Sequence, residues 1–158
     1  MNMEKTILGN DLEICRILNG MWQVAGGHGQ IDSELAIQDM EKYQELGFTT
    51  WDLADIYGPA ESLIGGFSKK TKQNFQAFTK FVPNPGPMSI SIVTYYIDES
   101  LKKMNTECID LLQFHWWDYQ DSSYLDALQH LSKLQNEGKI KNLGLTNFDT
   151  KRIKIIIE

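Results

Sequence analysis

Four polar side chains of different type stand where this chain changes from apolar runs to loops, and together they could handle a proton at an oxygen. Asp52 closes a short apolar run, and Tyr57 follows five residues later in Asp52-Leu53-Ala54-Asp55-Ile56-Tyr57. A free tyrosine, with a pKa of about 10, is a poor proton donor at neutral pH unless nearby charge adjusts it. Lys80 lies near the C-terminal end of the run Phe75 to Phe81, so its ammonium and the Asp52 carboxylate could both reach the phenol. His115 ends the run Ile109 to Phe114 in the same way. Singly, each residue has an ordinary role: a loop cap, half-buried packing, a solvated cation, a core histidine. Jointly they fall at or just past the ends of three consecutive strands, where parallel α/β sheets and barrels assemble their active sites.

The elements that must carry these residues alternate between strand and helix. Thr6-Ile7-Leu8, then Gly9-Asn10-Asp11, then Leu12-Glu13-Ile14 reads as a hairpin, because Gly, Asn and Asp tolerate the positive φ of its turn. Cys15 to Leu18 is expected to be the first parallel strand, with Gly20-Met21-Trp22 at its mouth. The glycine-rich Gly26-Gly27-His28-Gly29-Gln30 does not match a dinucleotide fingerprint, which would need glycine where Asp32 stands, and reads as a connecting loop. A helix follows from Asp32 or Ser33 to near Gly47, with Ala36, Met40 and Tyr43 on its apolar face. Strand two is Phe48 to Asp52, and Pro59 opens a helix to Phe67. After strand three, Phe75 to Phe81, the prolines 83, 85 and 87 with Gly86 forbid regular structure. Ile90, Val93, Ile97, Leu101 and Met104 step at helical spacing. Strand four, Ile109 to Phe114, is almost continuously apolar, as a parallel strand covered on both faces should be. Tyr124, Leu128, Leu131 and Leu134 mark a fourth helix capped at Gly138; Ile140 to Leu145 is strand five, and a further helix begins at Lys151. The units recur roughly every thirty residues, the length of βαβ modules.

Composition narrows the partners. The chain has 158 residues, of which 42% are hydrophobic, enough for one core, and residues 1–158 read as a single domain. Fifteen basic against 21 acidic residues give a net charge of −6, and no basic run could track a phosphate backbone, so nucleic acid is excluded as a partner. No apolar run approaches the ~18 residues of a membrane span, and no leader is evident, which predicts a cytosolic protein. Cys15 and Cys108 are too far apart in sequence for Cys-x-x-Cys pairing and are expected as buried free thiols. His28, His115 and His130 show neither His-x-His nor His-Glu-x-x-His spacing, which argues against a metal-dependent hydrolase.

In order along the chain, Asp52, Tyr57-Gly58 with Glu61, Lys80 in Thr79-Lys80-Phe81, His115 after Asp110-Leu111-Leu112-Gln113-Phe114, and Gly144-Leu145-Thr146-Asn147-Phe148 resemble the aldo-keto reductase superfamily. The resemblance covers nearly the whole chain. It implies an α/β fold of the (β/α)8 TIM-barrel type, here incomplete: strands one to five behind an N-terminal hairpin that plugs the bottom of the barrel. A complete barrel needs about 250 residues, so the chain reads as truncated after the fifth unit.

The resemblance further implies NADPH-dependent reduction of aldehyde or ketone carbonyls. Tyr57 would be the acid, with Lys80 favouring its phenolate and Asp52 holding the ammonium; His115 would orient or polarise the carbonyl oxygen. Gly20, Met21, Trp22, Asp52, Thr146 and Asn147 would line the nicotinamide. Thr146-Asn147 stands where the family usually has Ser-Asn, and Met21 where it has Thr. The family's later cofactor-gripping residues have no counterpart within these residues, so a chain of this length is expected to bind NADPH poorly. Open sheet edges predict a homo-oligomer or a complementing chain that covers them. The alternative is a non-catalytic accessory subunit or inactive fragment, a use to which barrels of this superfamily are also put.

Overall fold

The computed structural model describes residues 3–9, 11–27 and 29–157. Asn10 of the expected turn and His28 of the glycine-rich loop lie outside them. Strands β1 (Lys5–Leu8) and β2 (Leu12–Cys15) pair antiparallel, and Gly9 enters the turn at φ +65°, a conformation open to glycine without steric cost. Leu12 and Ile14 pack on Phe78 and Leu111, inner-face residues that precede Lys80 and Gln113 by two positions on their strands. The hairpin therefore closes the sheet at the end opposite the strand C-termini, as expected.

The main sheet is parallel, in the order β3 (Asn19–Gly20), β4 (Thr50–Asp52), β5 (Gln76–Phe81), β6 (Ile109–His115), β7 (Ile140–Thr146). Sequential neighbours all the way across, with a helix after each strand from β3 onward, make this an incomplete α/β barrel. The first strand is not where periodicity suggested. Cys15 belongs to the hairpin, Ile17 and Leu18 are exposed, and the strand is the two-residue Asn19–Gly20, paired with Trp51 and Asp52. Strand two is likewise shorter than Phe48 to Asp52, beginning at Thr50.

The helices begin and end where capping chemistry directs. Asp32 caps α1 (Ser33–Glu45), its carboxylate accepting from the amides of Glu34 and Leu35. Pro59 is the N-cap of α2 (Ala60–Lys70), three residues longer than expected because Ser68 to Lys70 continue the turn. Ser89 caps α3 (Ile90–Met104), and Asn105 ends it in the left-handed region at φ 54°. Helix α4 (Tyr124–Asn136) stops before Gly138 at φ 86°, and Asp149 accepts the Arg152 amide at the start of α5 (Thr150–Ile157). On α1 the buried positions are Ile37, Met40 and Gln44, whereas Tyr43 is half exposed, its ring edge against Phe48 and Trp51.

Two apolar bodies flank the outer face of the sheet. One joins α3 and α4 to β6 around Phe114, Trp116 and Leu131; the other joins α1 and α2 to β4 around Trp51, Leu63 and Phe67. Cys15 is buried, with Sγ donating to the Gly47 carbonyl, and Cys108 is only half-buried, against the expectation for it. Among the described residues no helix is long and apolar enough to cross a membrane.

Candidate active site

Alternation along a strand fixes which side chains meet inside the sheet's curve. Lys80 and Gln113 are register partners on β5 and β6, and His115 stands opposite Thr146 on β6 and β7. Asp52, last residue of β4, is opposite Phe78, two residues short of Lys80's level. The carboxylate turns toward the amine. Lys80 Nζ donates to Asp52 Oδ1 at 2.7 Å, to Oδ2 at 2.8 Å and to the Leu53 carbonyl at 2.8 Å. An ammonium has three donors, so all are used.

Tyr57 is carried by a loop stitched to the end of β5. The Leu53 amide donates to Phe78, the Asp55 amide to Lys80, and the Val82 amide to Asp55 Oδ2. Within the loop, the Tyr57 amide bonds the Ala54 carbonyl and the Ala60 amide bonds that of Tyr57. Gly58 then passes at φ +52° against Ala25, whose carbonyl oxygen would lie 3.2 Å from an added Cβ, so glycine is demanded twice over. Below the loop, buried Glu61 in the first turn of α2 accepts from the Thr79 hydroxyl at 2.8 Å and faces Lys103 Nζ at 3.5 Å. That acid anchors α2 to β5.

These bonds bring the phenol ring beneath the amine, with Lys80 Nζ 5.2 Å from the ring centroid. The ammonium meets Tyr57 through the ring and makes its hydrogen bonds elsewhere, a different arrangement from direct contact at the hydroxyl. Accordingly the phenol is not made more acidic here: burial, and then the nearby Asp52 charge, push its pKa up. Trp22, half exposed, sets its ring edge-on to Tyr57 at 5.0 Å.

His115 completes the rim. Its ring lies over Trp117 at 4.2 Å, and Nε2 is buried without a hydrogen-bond partner among the described residues. Burial, helped by the Lys80 charge, lowers its pKa, so the imidazole is neutral at pH 7. An unpartnered buried ring nitrogen is costly unless something binds to it.

Of the residues expected near a nicotinamide, Gly20 pairs with Asp52 in the sheet, and the Met21 amide donates to the Asp52 carbonyl at 2.9 Å. Met21 itself is buried in the α1–α2 body; it packs and does not face the rim's solvent. Thr146 donates its hydroxyl proton to Gln113 Oε1 at 3.3 Å, and Asn147 Nδ2 donates to the Trp116 carbonyl at 2.8 Å. Both therefore keep oxygen lone pairs as acceptors. That suits the NH2 of a carboxamide, so the residues present fit the nicotinamide group.

Two participants escaped the sequence reading. Gln113, inside an apolar run, donates from Nε2 to Asp52 Oδ1 at 2.9 Å. Its only signal is the two-residue spacing that puts it on the same face as Leu111 and His115. Asp55 is the other: half-buried, with Oδ1 unpartnered among the described residues, its pKa is raised to about 6 by burial and by Glu61. Among the described residues, no group of three or more His, Cys, Asp or Glu could hold a metal ion.

Comparison with known proteins gives one answer. The model of the Aldo/keto reductase family matches residues 16–158. The 6-dehydroglucose reductase of Agrobacterium fabrum is 31% identical over 92% of this chain and 54% of its own length. The glycerol dehydrogenase of Gluconobacter oxydans superposes with a TM-score of 0.81 at 22% identity, over 97% of this chain and 51% of that one. The Bombyx mori aldo-keto reductase, solved in complex with NADP, gives 0.79 at 20% identity, over 99% of this chain and 54% of that one. The chain thus spans about half the length of these relatives.

Proposed function

The chain belongs to the aldo/keto reductase family, and on that premise we propose that it is an NADPH-dependent reductase of aldehyde or ketone carbonyls. The observation that carries the proposal is the grouping at the strand ends, where a protonated phenol lies against a fully bonded ammonium whose charge also reaches a neutral imidazole, its ring nitrogen buried and without a partner among the described residues.

Bound NADPH would supply the hydride. Every other role falls to this chain's own residues. Tyr57 holds its proton at neutral pH, since its ordinary value is about 10 and burial raises it. When alkoxide character develops, the phenol O–H bond breaks toward that oxygen, and the phenolate left behind faces the Lys80 cation 5.2 Å from the ring centroid. Asp52 keeps that cation in place with two bonds. His115 Nε2 is the group to orient the carbonyl oxygen, because it alone of the three is buried and without a partner in the structure described. Thr146 and Asn147 would take the carboxamide, while Trp22 and Trp117, both more than half exposed, wall the approach for an apolar substrate.

The test is NADPH consumption at 340 nm (about that wavelength for any reduced nicotinamide) with a panel of aldehydes. Tyr57→Phe is expected to slow turnover by about 10² to 10⁴, the span of general acid catalysis. Equal rates for the two proteins would end the reductase reading.

A further inference from the structure

Resting on that reading, the geometry points to Gln113 as a positioning residue, a switchboard amide that fixes Asp52 on one side and Thr146 on the other. Three observations carry it. First, Gln113 sits between Lys80 on β5 and Gly144 on β7 in the sheet register, so its side chain projects from the strand between the two halves of the rim. Second, its amide is bonded at both ends, Nε2 to Asp52 Oδ1 at 2.9 Å and Oε1 from the Thr146 hydroxyl at 3.3 Å. Third, the two bonds can run only one way. A carboxylate accepts and cannot donate, so the NH2 must face Asp52; the carbonyl must then face Thr146, whose hydroxyl is obliged to donate.

The consequence reaches both partners. Asp52 Oδ1 holds two donors, Lys80 and Gln113, which fixes the carboxylate plane and with it the ammonium above Tyr57. Thr146, with its proton committed, can offer a ligand only lone pairs. Gln113 thereby dictates that the group bound beside Thr146 be a donor, such as a primary amide, and it does so from beneath the rim without touching that group. A leucine in its place would leave Asp52 loose and Thr146 free to rotate. A glutamate would be isosteric. Protonated, it would reproduce both bonds; ionised, it would set a second carboxylate against Asp52.

The experiment compares wild type, Gln113→Leu, Gln113→Glu, Thr146→Val and the double variant Gln113→Leu/Thr146→Val, with Tyr57→Phe alongside. NADPH affinity is read by nucleotide fluorescence. Gln113→Leu and Thr146→Val are each expected to weaken it about three- to tenfold, and the double variant no more than the weaker single, the non-additivity of two groups acting through one bond. Multiplying losses, or a Gln113→Leu affinity equal to wild type, would overturn the proposal. For Gln113→Glu, kcat relative to wild type is expected to approach unity at the acid end of the profile and to fall about tenfold or more as the introduced carboxyl ionises. A flat ratio would overturn it. In the cofactor-free chain, ultraviolet difference titration against Tyr57→Phe should find the Tyr57 phenol ionising at higher pH in Gln113→Glu, and an unmoved phenol counts against the coupling to Asp52. The reductase reading fails separately, by a wild type that consumes NADPH no faster than Tyr57→Phe.

Discussion

The two sides of the rim are held in opposite ways. On the β4–β5 side, Lys80 has no donor to spare, Asp52 accepts from two side chains, and the loop to Tyr57 is tied to β5 by three backbone amides. On the β7 side the strand is only half-buried beyond Ile140, Thr146 rests on one bond of 3.3 Å, and Asn147 is exposed at φ 68°. Groups that set charge are wired by the chain to itself. Groups expected to meet a ligand keep their oxygens free, and this division lets the first be rigid before any ligand arrives.

The contrast breaks most directly at Lys80. Lys80→Met removes the cation from a pair whose side chains are 11% and 29% exposed, leaving Asp52 with Gln113 alone. Stripping one partner from a buried pair costs about 3 to 5 kcal/mol, and the partial exposure of Asp52 argues for about 3. Denaturant unfolding at pH 7 measures it. A loss under about 1 kcal/mol would mean the wired side is no more committed than β7.

Next is the helix pair under the Tyr57 loop. An alanine Cβ at Gly65 of α2 would lie 2.0 Å from the Lys103 carbonyl oxygen of α3, backbone that cannot step aside. Gly65→Ala is expected to cost about 2 to 3 kcal/mol by overpacking. Gly66→Ala is the control: its nearest neighbour is the flexible end of Ile37, at 2.7 Å, and alanine's helix preference of about 1 kcal/mol offsets the crowding. Unfolding midpoints of the two variants should differ clearly; equal midpoints would remove α2–α3 contact from the account of what holds the loop.

How much of this division could be read beforehand depends on whether local signals specify it. The positions of Lys80 and His115 at strand ends were legible, because apolar runs and breakers are local. So was the start of α1 at Asp32 or Ser33, of which Asp32 is the cap. The first strand was misplaced because Asn19 and Gly20 carry no strand signal of their own; they become a strand only by pairing with Trp51 and Asp52, about thirty residues away. The amine's bonds to Asp52 were expected, but its third bond, to the Leu53 carbonyl, and its meeting the phenol through the ring were hidden. Residue types give the set of possible bonds, and only the packed backbone selects among them. Gln113 was passed over for a related reason: one amide in an apolar strand is read as filler until its neighbours across the sheet are known.

Asp55 separates the two sides by pH. Its carboxyl is raised from 3.8 to about 6, by burial and then the Glu61 charge, and one oxygen lacks a partner among the described residues. The folded chain therefore keeps this proton longer than the unfolded chain. Its contribution to stability is full below about pH 4 and is lost as pH rises through about 6. Two units correspond to about 3 kcal/mol at most, and the residue's partial exposure suggests about 1 to 2. Asp55→Asn keeps an acceptor for the Val82 amide and cannot ionise. Its Tm should match wild type near pH 4 and exceed it by a few degrees at pH 7. A constant difference across that range would locate the ionisation elsewhere.

The smallest effect belongs to the loose side. Thr146→Ser keeps the hydroxyl and its bond to Gln113 and removes one methyl from a half-buried edge position. A fully buried methylene is worth about 0.8 kcal/mol, so half-burial leaves about 0.4, less whatever serine gains by relaxing. NADPH affinity should stay within about twofold, since the acceptor lone pairs are unchanged. If the variant instead lost more than about 1 kcal/mol, the methyl would be packed as tightly as a core group. β7 would then be a second rigid wall, and the asymmetry between the strand that sets charge and the strand that awaits a ligand would have to be given up.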